Sequence, residues 1–221
     1  MPLKDDFLTR ITERLEQTLA EVAHLTERGR ADEALSKLNA TYRETTGSDA
    51  QMVHRLSTND LLSLLSTTGT LEVEKALLMA ELLHAESRVH ASQDREVSAL
   101  TRLKMLELYL HALLVETGLI PHYQHQVAQL VAALDGLPLE TERRLFEYDA
   151  HSGDFAAAED RLFEMLEAHP GDAELARWGA AHYEGWLELP DDVLEAGNLP
   201  KDEVRESLAS LRAVQGEALR V

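Results

Sequence analysis

Apolar residues recur every three or four positions along almost the whole chain, the spacing that lines one face of an α-helix. Leu8, Ile11, Leu15, Leu19 and Val22 set the first such face, and Gly29 supplies its stop. A second pattern predicts a helix over 31–45 that turns back along the first and is closed by Gly47-Ser48. Ser57-Thr58-Asn59-Asp60 resembles a capping box ahead of Leu61, Leu62, Leu64 and Leu65, which predicts a short helix over 58–67. Thr70 is placed to cap the next helix, with Glu72 and Glu74 in its first turn and its end near Ala91.

The segment 93–117 is the most apolar. Between Met105 and Val115 only Glu107 and His111 are polar, and with Lys104 they form one narrow stripe. A helix apolar over most of its circumference is normally surrounded by neighbours, so this one is predicted to be central. Gly118 and Pro121 end it. Helices are then predicted over 122–134, 139–152, 154–168, 172–188 and 200–213, separated by Gly136-Leu137-Pro138, Gly153, Pro170-Gly171 and the stretch from Pro190 to Gly197. No run alternates apolar and polar residues as a strand does. The expectation is an all-α fold of antiparallel helix hairpins, with an N-terminal part over 1–118 and a C-terminal part over 119–221 in one continuous domain.

Gly153-Asp154-Phe155, followed by Ala158, Leu162, Met165 and Pro170, resembles the second helix of a tetratricopeptide repeat. In that family a turn glycine precedes a small residue and two larger apolar ones, and a proline closes the unit. Ala180 and Tyr183 fall where a following repeat wants its small residue and its aromatic. The physical basis is that small residues let helices approach and large ones fill the space beside them. The likeness covers about 139–187, and more loosely 15–45 through Gly29, Ala34 and Leu38. Phe146 stands where a small residue belongs, and Pro190 breaks the helix that should complete the last repeat. The resemblance implies an α–α superhelix or irregular bundle acting through protein–protein contacts. Asp6-Phe7-Leu8, Arg10-Ile11, Ala158-Glu159-Asp160, Leu162-Phe163, Gly179, Tyr183, Gly197-Asn198-Leu199-Pro200 and Glu203-Val204 also resemble a group of uncharacterised bacterial all-helical proteins, which implies no activity.

Composition narrows the function classes. The 221 residues hold 40 acids against 21 Lys and Arg, a formal charge of −19, and no cysteine. Disulfides, thiolate metal sites and a cysteine nucleophile are excluded. The acidity argues against nucleic acid and anionic lipid as partners. The N-terminus has no signal pattern and no stretch reaches the length of a membrane span, so a cytoplasmic protein is expected. No Gly-x-Ser-x-Gly turn and no phosphate-binding glycine loop occurs, so no catalytic residue and no cofactor is assigned.

The ten histidines are the richest chemical resource for a metal site. Glu21 with His24 and Glu81 with His84 are two Glu-x-x-His pairs, the spacing used by di-iron sites in ferritin-like bundles. Glu107 and His111 are the candidate further ligands of such an enzyme. Val22 and Leu19 define the buried face of the first helix, however, and His24 points away from both. His122 and His125, three apart, form a weaker pair with no third ligand close in sequence.

Seven of the eleven aromatic residues lie between Phe146 and Trp186. Phe155, Phe163 and Tyr183 fit a core, whereas Trp178 and Trp186, eight apart, share a helix face and are candidate partner contacts. Glu184, Glu188, Asp191 and Asp192, with Glu195, form a run without a base. From Leu139 onward there are 20 acids and 8 bases, which carry −12 of the total charge. The reading is a helical-repeat scaffold that binds protein, as a homodimer or through a basic partner on its acidic C-terminal face.

Overall fold

The structure, a computed structural model, describes residues 16–218. It is all-α apart from one two-stranded hairpin and divides into two compact units, through Gly136 and from Leu137.

The N-terminal unit starts with α1 over 16–27, which ends at Gly29 in a left-handed conformation. Helix α2 (Ala31–Thr46) stops the same way at Gly47. Two short helices follow, α3 (Ala50–Arg55) and α4 (Thr58–Leu64). Ser57 caps α4 as its capping box predicts, accepting the Asp60 N–H at 3.1 Å. Helix α3 was not expected; six residues are too few to show a period, and its signal is Asp49, which caps it through Met52 N–H.

The segment after α4 departs from the predicted helix over 58–67. Residues Ser66–Thr67 (β1) pair antiparallel with Thr70–Leu71 (β2). Thr68 and Gly69 between them both have positive φ, as a two-residue hairpin turn requires. Thr70 is therefore a strand residue, and Glu72 occupies the N-cap of α5 (Val73–Ala91) without a side-chain capping bond. Helix α6 (Ala99–Val115) starts six residues later than expected because Ser98 caps it at Thr101 N–H. A 3₁₀ turn (Thr117–Leu119) leads to α7 (Ile120–Ala132), with Pro121 in the first turn where its missing N–H costs nothing.

Helix α5 packs on α2 and α6, and α6 packs also on α4 and α7. Leu106, Leu108, Tyr109, Leu110, Ala112 and Leu113 of α6 are wholly buried, so its apolar girth is satisfied within the chain. Only its two ends show large apolar side chains, Leu100 and Val115, at 66% and 60% exposure. Each fully buried leucine contributes roughly 1.5–3 kcal/mol. Helix α7 stays with this unit, since it rests on α6.

In the C-terminal unit, α8 (Leu139–Ser152) and α9 (Phe155–Ala168) form a hairpin about Gly153, whose φ is +86°. Arg161 of α9 reaches Glu142 at 2.7 Å and Asp149 at 3.0 Å on α8, which fixes the rotation of one helix on the other. Burial pushes the Asp149 carboxyl up despite that guanidinium. Helix α10 (Ala173–Trp186) crosses α9 where Gly179 meets Leu162; a Cβ there would lie 2.6 Å from Leu162 Cδ2. After the break at Pro190 comes an unexpected short helix, α11 (Asp191–Ala196), started by the two aspartates at its N-terminus. Helix α12 (Lys201–Ala218) then packs along α10.

The core of this unit holds Phe155, Ala158, Leu162, Met165, Ala180 and Tyr183, the positions the repeat-like pattern marks as inward-facing, whereas Phe163, also expected in the core, is only half-buried and lies outside it. Phe146 is buried among the rings of Trp178 and Trp186 at 4.8 and 5.4 Å. Gly185 of α10 has open space where a Cβ would go. Gly185→Ala is expected to raise stability by about 0.5–1 kcal/mol, because alanine removes backbone entropy from the unfolded chain. The urea unfolding midpoint reads that gain directly.

Candidate functional site

The six residues suggested for a metal centre fall into separate settings. On α1, exposed Glu21 pairs with Lys37 at 2.7 Å, and His24 is also exposed. Val22 between them is 3% exposed, so at 100° per residue both side chains turn off the packed face. On α5, Glu81 accepts the Tyr109 hydroxyl at 2.8 Å, and His84 is half-buried. On α6, buried Glu107 faces His111 one turn on, at 3.4 Å. Among the described residues no group of three or more His, Asp or Glu is placed to hold a metal ion. His122 and His125 both lie exposed on α7. The spacing thus identified pairs but could not bring them together.

A different polar cluster occupies the interior of the N-terminal unit, and no spacing argument identified it. Glu86 of α5 is 8% exposed. Its Oε2 accepts the Tyr42 hydroxyl at 2.9 Å and lies 3.1 Å from His54 Nε2, while Oε1 lies 3.6 Å from His90 Nε2. Burial acts to raise this carboxyl's pKa, but the hydrogen bond and charge of His54, with Tyr42 and His90, outweigh it and the net shift is downward. Tyr42 is pushed well up by burial and by the Glu86 charge.

Beside it, Lys104 of α6 is 3% exposed, and its Nζ donates to the carbonyls of Val53, His54 and Leu56 at 3.0, 3.1 and 2.8 Å. Burial lowers its pKa. The ammonium closes the C-terminal end of α3, where unpaired carbonyls favour a cation. One signal was present in the sequence: Glu86 follows Leu82 and Leu83 by four and three residues and precedes Val89 by three, which puts a carboxylate on the buried stripe. Buried charge needs partners, and this cluster draws its members from four helices, α2, α3, α5 and α6.

The C-terminal unit carries the acidic surface. Glu184, Glu188, Asp191, Asp192 and Glu195 are all exposed. Arg212 meets Glu184 at 2.8 Å and Lys201 meets Asp191 at 2.6 Å. Glu188, Asp192 and Glu195 have no ion-pair partner among the described residues. Val193, 41% exposed, stands beside them.

The two tryptophans, placed on one helix face by their spacing, part company. Trp186 is a core residue, 6% exposed, stacked on Phe146 and edge-on to Phe155 at 5.2 Å. Trp178 is half-buried, with the Arg143 guanidinium 5.3 Å from its ring centroid and His182 at 4.8 Å. Burial, then the neighbouring His151, pushes the His182 pKa down.

Within the same unit Glu159 is held by hydroxyls alone, Tyr183 at 3.0 Å and Ser207 at 2.7 Å. Burial, and the nearby Glu203 and Asp160, push its pKa up against those two hydrogen bonds. A raised carboxyl favours the folded state below its unfolded pKa and loses that advantage as pH rises through the folded value. Glu159→Gln should therefore keep or raise stability at pH 7 and flatten this part of the pH profile, as read by thermal unfolding from pH 4 to 7.

No helix of the described residues is long and apolar enough to cross a membrane. No curated protein matches the chain, and no solved structure does. Residues 2–216 match a family described as a family of unknown function (DUF6483), and because that match spans nearly the whole sequence, the chain belongs to this family.

Proposed function

We propose that the chain is a non-enzymatic protein–protein interaction module whose acidic C-terminal surface receives a basic partner. The observation that carries this reading is the exposed group Glu188, Asp192 and Glu195 around half-exposed Val193, three carboxylates without a base. Internal cations already answer Glu184 and Asp191, so the remaining charge is directed to solvent. A cationic segment that meets it gains on-rate and orientation from that field. The tetratricopeptide-like helix pairs support the same reading, since such hairpins present side chains from rigid elements. Trp178, part-covered by Arg143 and His182, offers an aromatic contact, whereas Trp186 is spent in the core.

The exposed ends of α6, Leu100 and Val115, support self-association as a homodimer. Light scattering on the purified chain should then give twice 24.7 kDa. Affinity capture from the source lysate should return a partner that elutes as salt rises. A monomer that captures nothing at low salt overturns the proposal.

A further inference from the structure

We propose that a cavity in the N-terminal unit, between α1, α5 and α7, binds a small elongated amino-carboxylate, with Glu81 taking its ammonium and Arg88 its carboxylate. The cavity has a volume of about 210 Å³. At about 30 Å³ per water, that is room for a molecule on the order of ten heavy atoms, well below drug size. Its polar wall is one face of α5. Glu81, His84 and Arg88 all line it, at positions i, i+3 and i+7. Leu19 and Val22 of α1 supply the apolar wall opposite.

The ends of the site differ in chemistry. Glu81 lies at the inner end, its Oε1 fixed by the wholly buried Tyr109 hydroxyl at 2.8 Å. That bond orients the carboxylate and leaves Oε2 for a cation. Tyr109 and Tyr123 pack near it as a tilted pair with ring centroids 5.6 Å apart, and the Glu81 charge reaches both phenols. Arg88 lies at the open end, exposed and without a carboxylate partner among the described residues. Seven residues of helix separate the two charges, about 10 Å along the axis.

A ligand with its charges at opposite ends of a short methylene chain answers both, and the chain runs along Leu19 and Val22. His84 sits midway. Burial pushes its pKa down, against the Glu81 charge and together with that of Arg88. Glu27 at the rim is the one further acid and favours the cationic end of the ligand entering. This site lies in a different unit from the acidic surface and stands independently of the interaction proposal.

Isothermal titration of the full chain with 6-aminohexanoate tests it, with hexylamine and hexanoate as single-charge probes. The expected result is saturable binding of the amino-carboxylate, weaker by tenfold or more for each single-charge probe. Glu81→Gln keeps an acceptor for Tyr109, and Arg88→Gln alters an exposed side chain, so both variants should fold by circular dichroism. Each is expected to weaken 6-aminohexanoate binding by roughly tenfold or more, about 1.4 kcal/mol. No saturable binding at millimolar concentration, equal binding of hexylamine, or binding that survives both substitutions unchanged overturns the proposal.

Discussion

Replacing Glu86 with alanine is expected to lower the unfolding free energy at pH 7 by about 3–5 kcal/mol, the range for breaking a buried charged network from one side. The variant removes the acceptor for Tyr42 and the partner of His54 and His90 at once. Tyr42 is wholly buried, so its hydroxyl has no water to turn to. Glu86→Gln keeps an acceptor and should cost less than the alanine.

The same carboxylate sets a pH signature. Its folded pKa lies below the ordinary 4.5, so its contribution is fully present above that value. It is lost as pH falls through the lower, folded value. Urea unfolding of the wild type and of Glu86→Gln, compared between about pH 3 and 7, should show a stability gap that closes on acidification. A gap that stays constant, or widens in acid, contradicts the assignment.

The second large effect is expected at Gly197. A Cβ at this position would lie 2.2 Å from the Gly153 carbonyl oxygen and 2.5 Å from Phe155 Cδ2. The backbone here is pressed against the α8–α9 turn, and Gly197 C=O accepts the Ala156 N–H at 3.1 Å. Neither obstacle is the free end of a flexible side chain. Gly197→Ala must shift the turn itself and is expected to cost about 3 kcal/mol, at the upper end for overpacking. The opposite sign expected at Gly185, in the same unit, makes a matched control. If both alanines stabilise, the close approach at Gly197 is not as described.

The helices were legible wherever the apolar period ran for three turns or more, which is why α2, α5 and α7 to α10 fall close to their expected places. Capping chemistry sharpened some boundaries, as Ser57 shows, and misled at Thr70. There the two-residue turn Thr68-Gly69 closes a hairpin before the helix can begin. Helices α3 and α11, six residues each, carry no period at all.

The polar interior was least legible, and the reason is sequence separation. Three wholly buried tyrosines, Tyr42, Tyr109 and Tyr183, each give their hydroxyl to a glutamate, and the partners are 44, 28 and 24 residues away. Pairs at i, i+3 are visible in a sequence because the helix itself brings them together. Pairs made by packing are not. Glu81 illustrates both: it was singled out for its local neighbour His84, while the contact that fixes it comes from Tyr109 on another helix.

The claim that the acidic C-terminal surface receives a basic partner is tested most directly by neutralising only the carboxylates left without an ion pair. The variant Glu188→Gln, Asp192→Asn, Glu195→Gln leaves the core and both ion pairs untouched. Capture from lysate is compared with the wild type at matched low salt, with thermal unfolding as the check on folding. The account predicts that the triple variant folds normally and retains little of the partner, and that what it retains depends less on salt. Undiminished capture by a folded variant, with the same salt dependence, would contradict it.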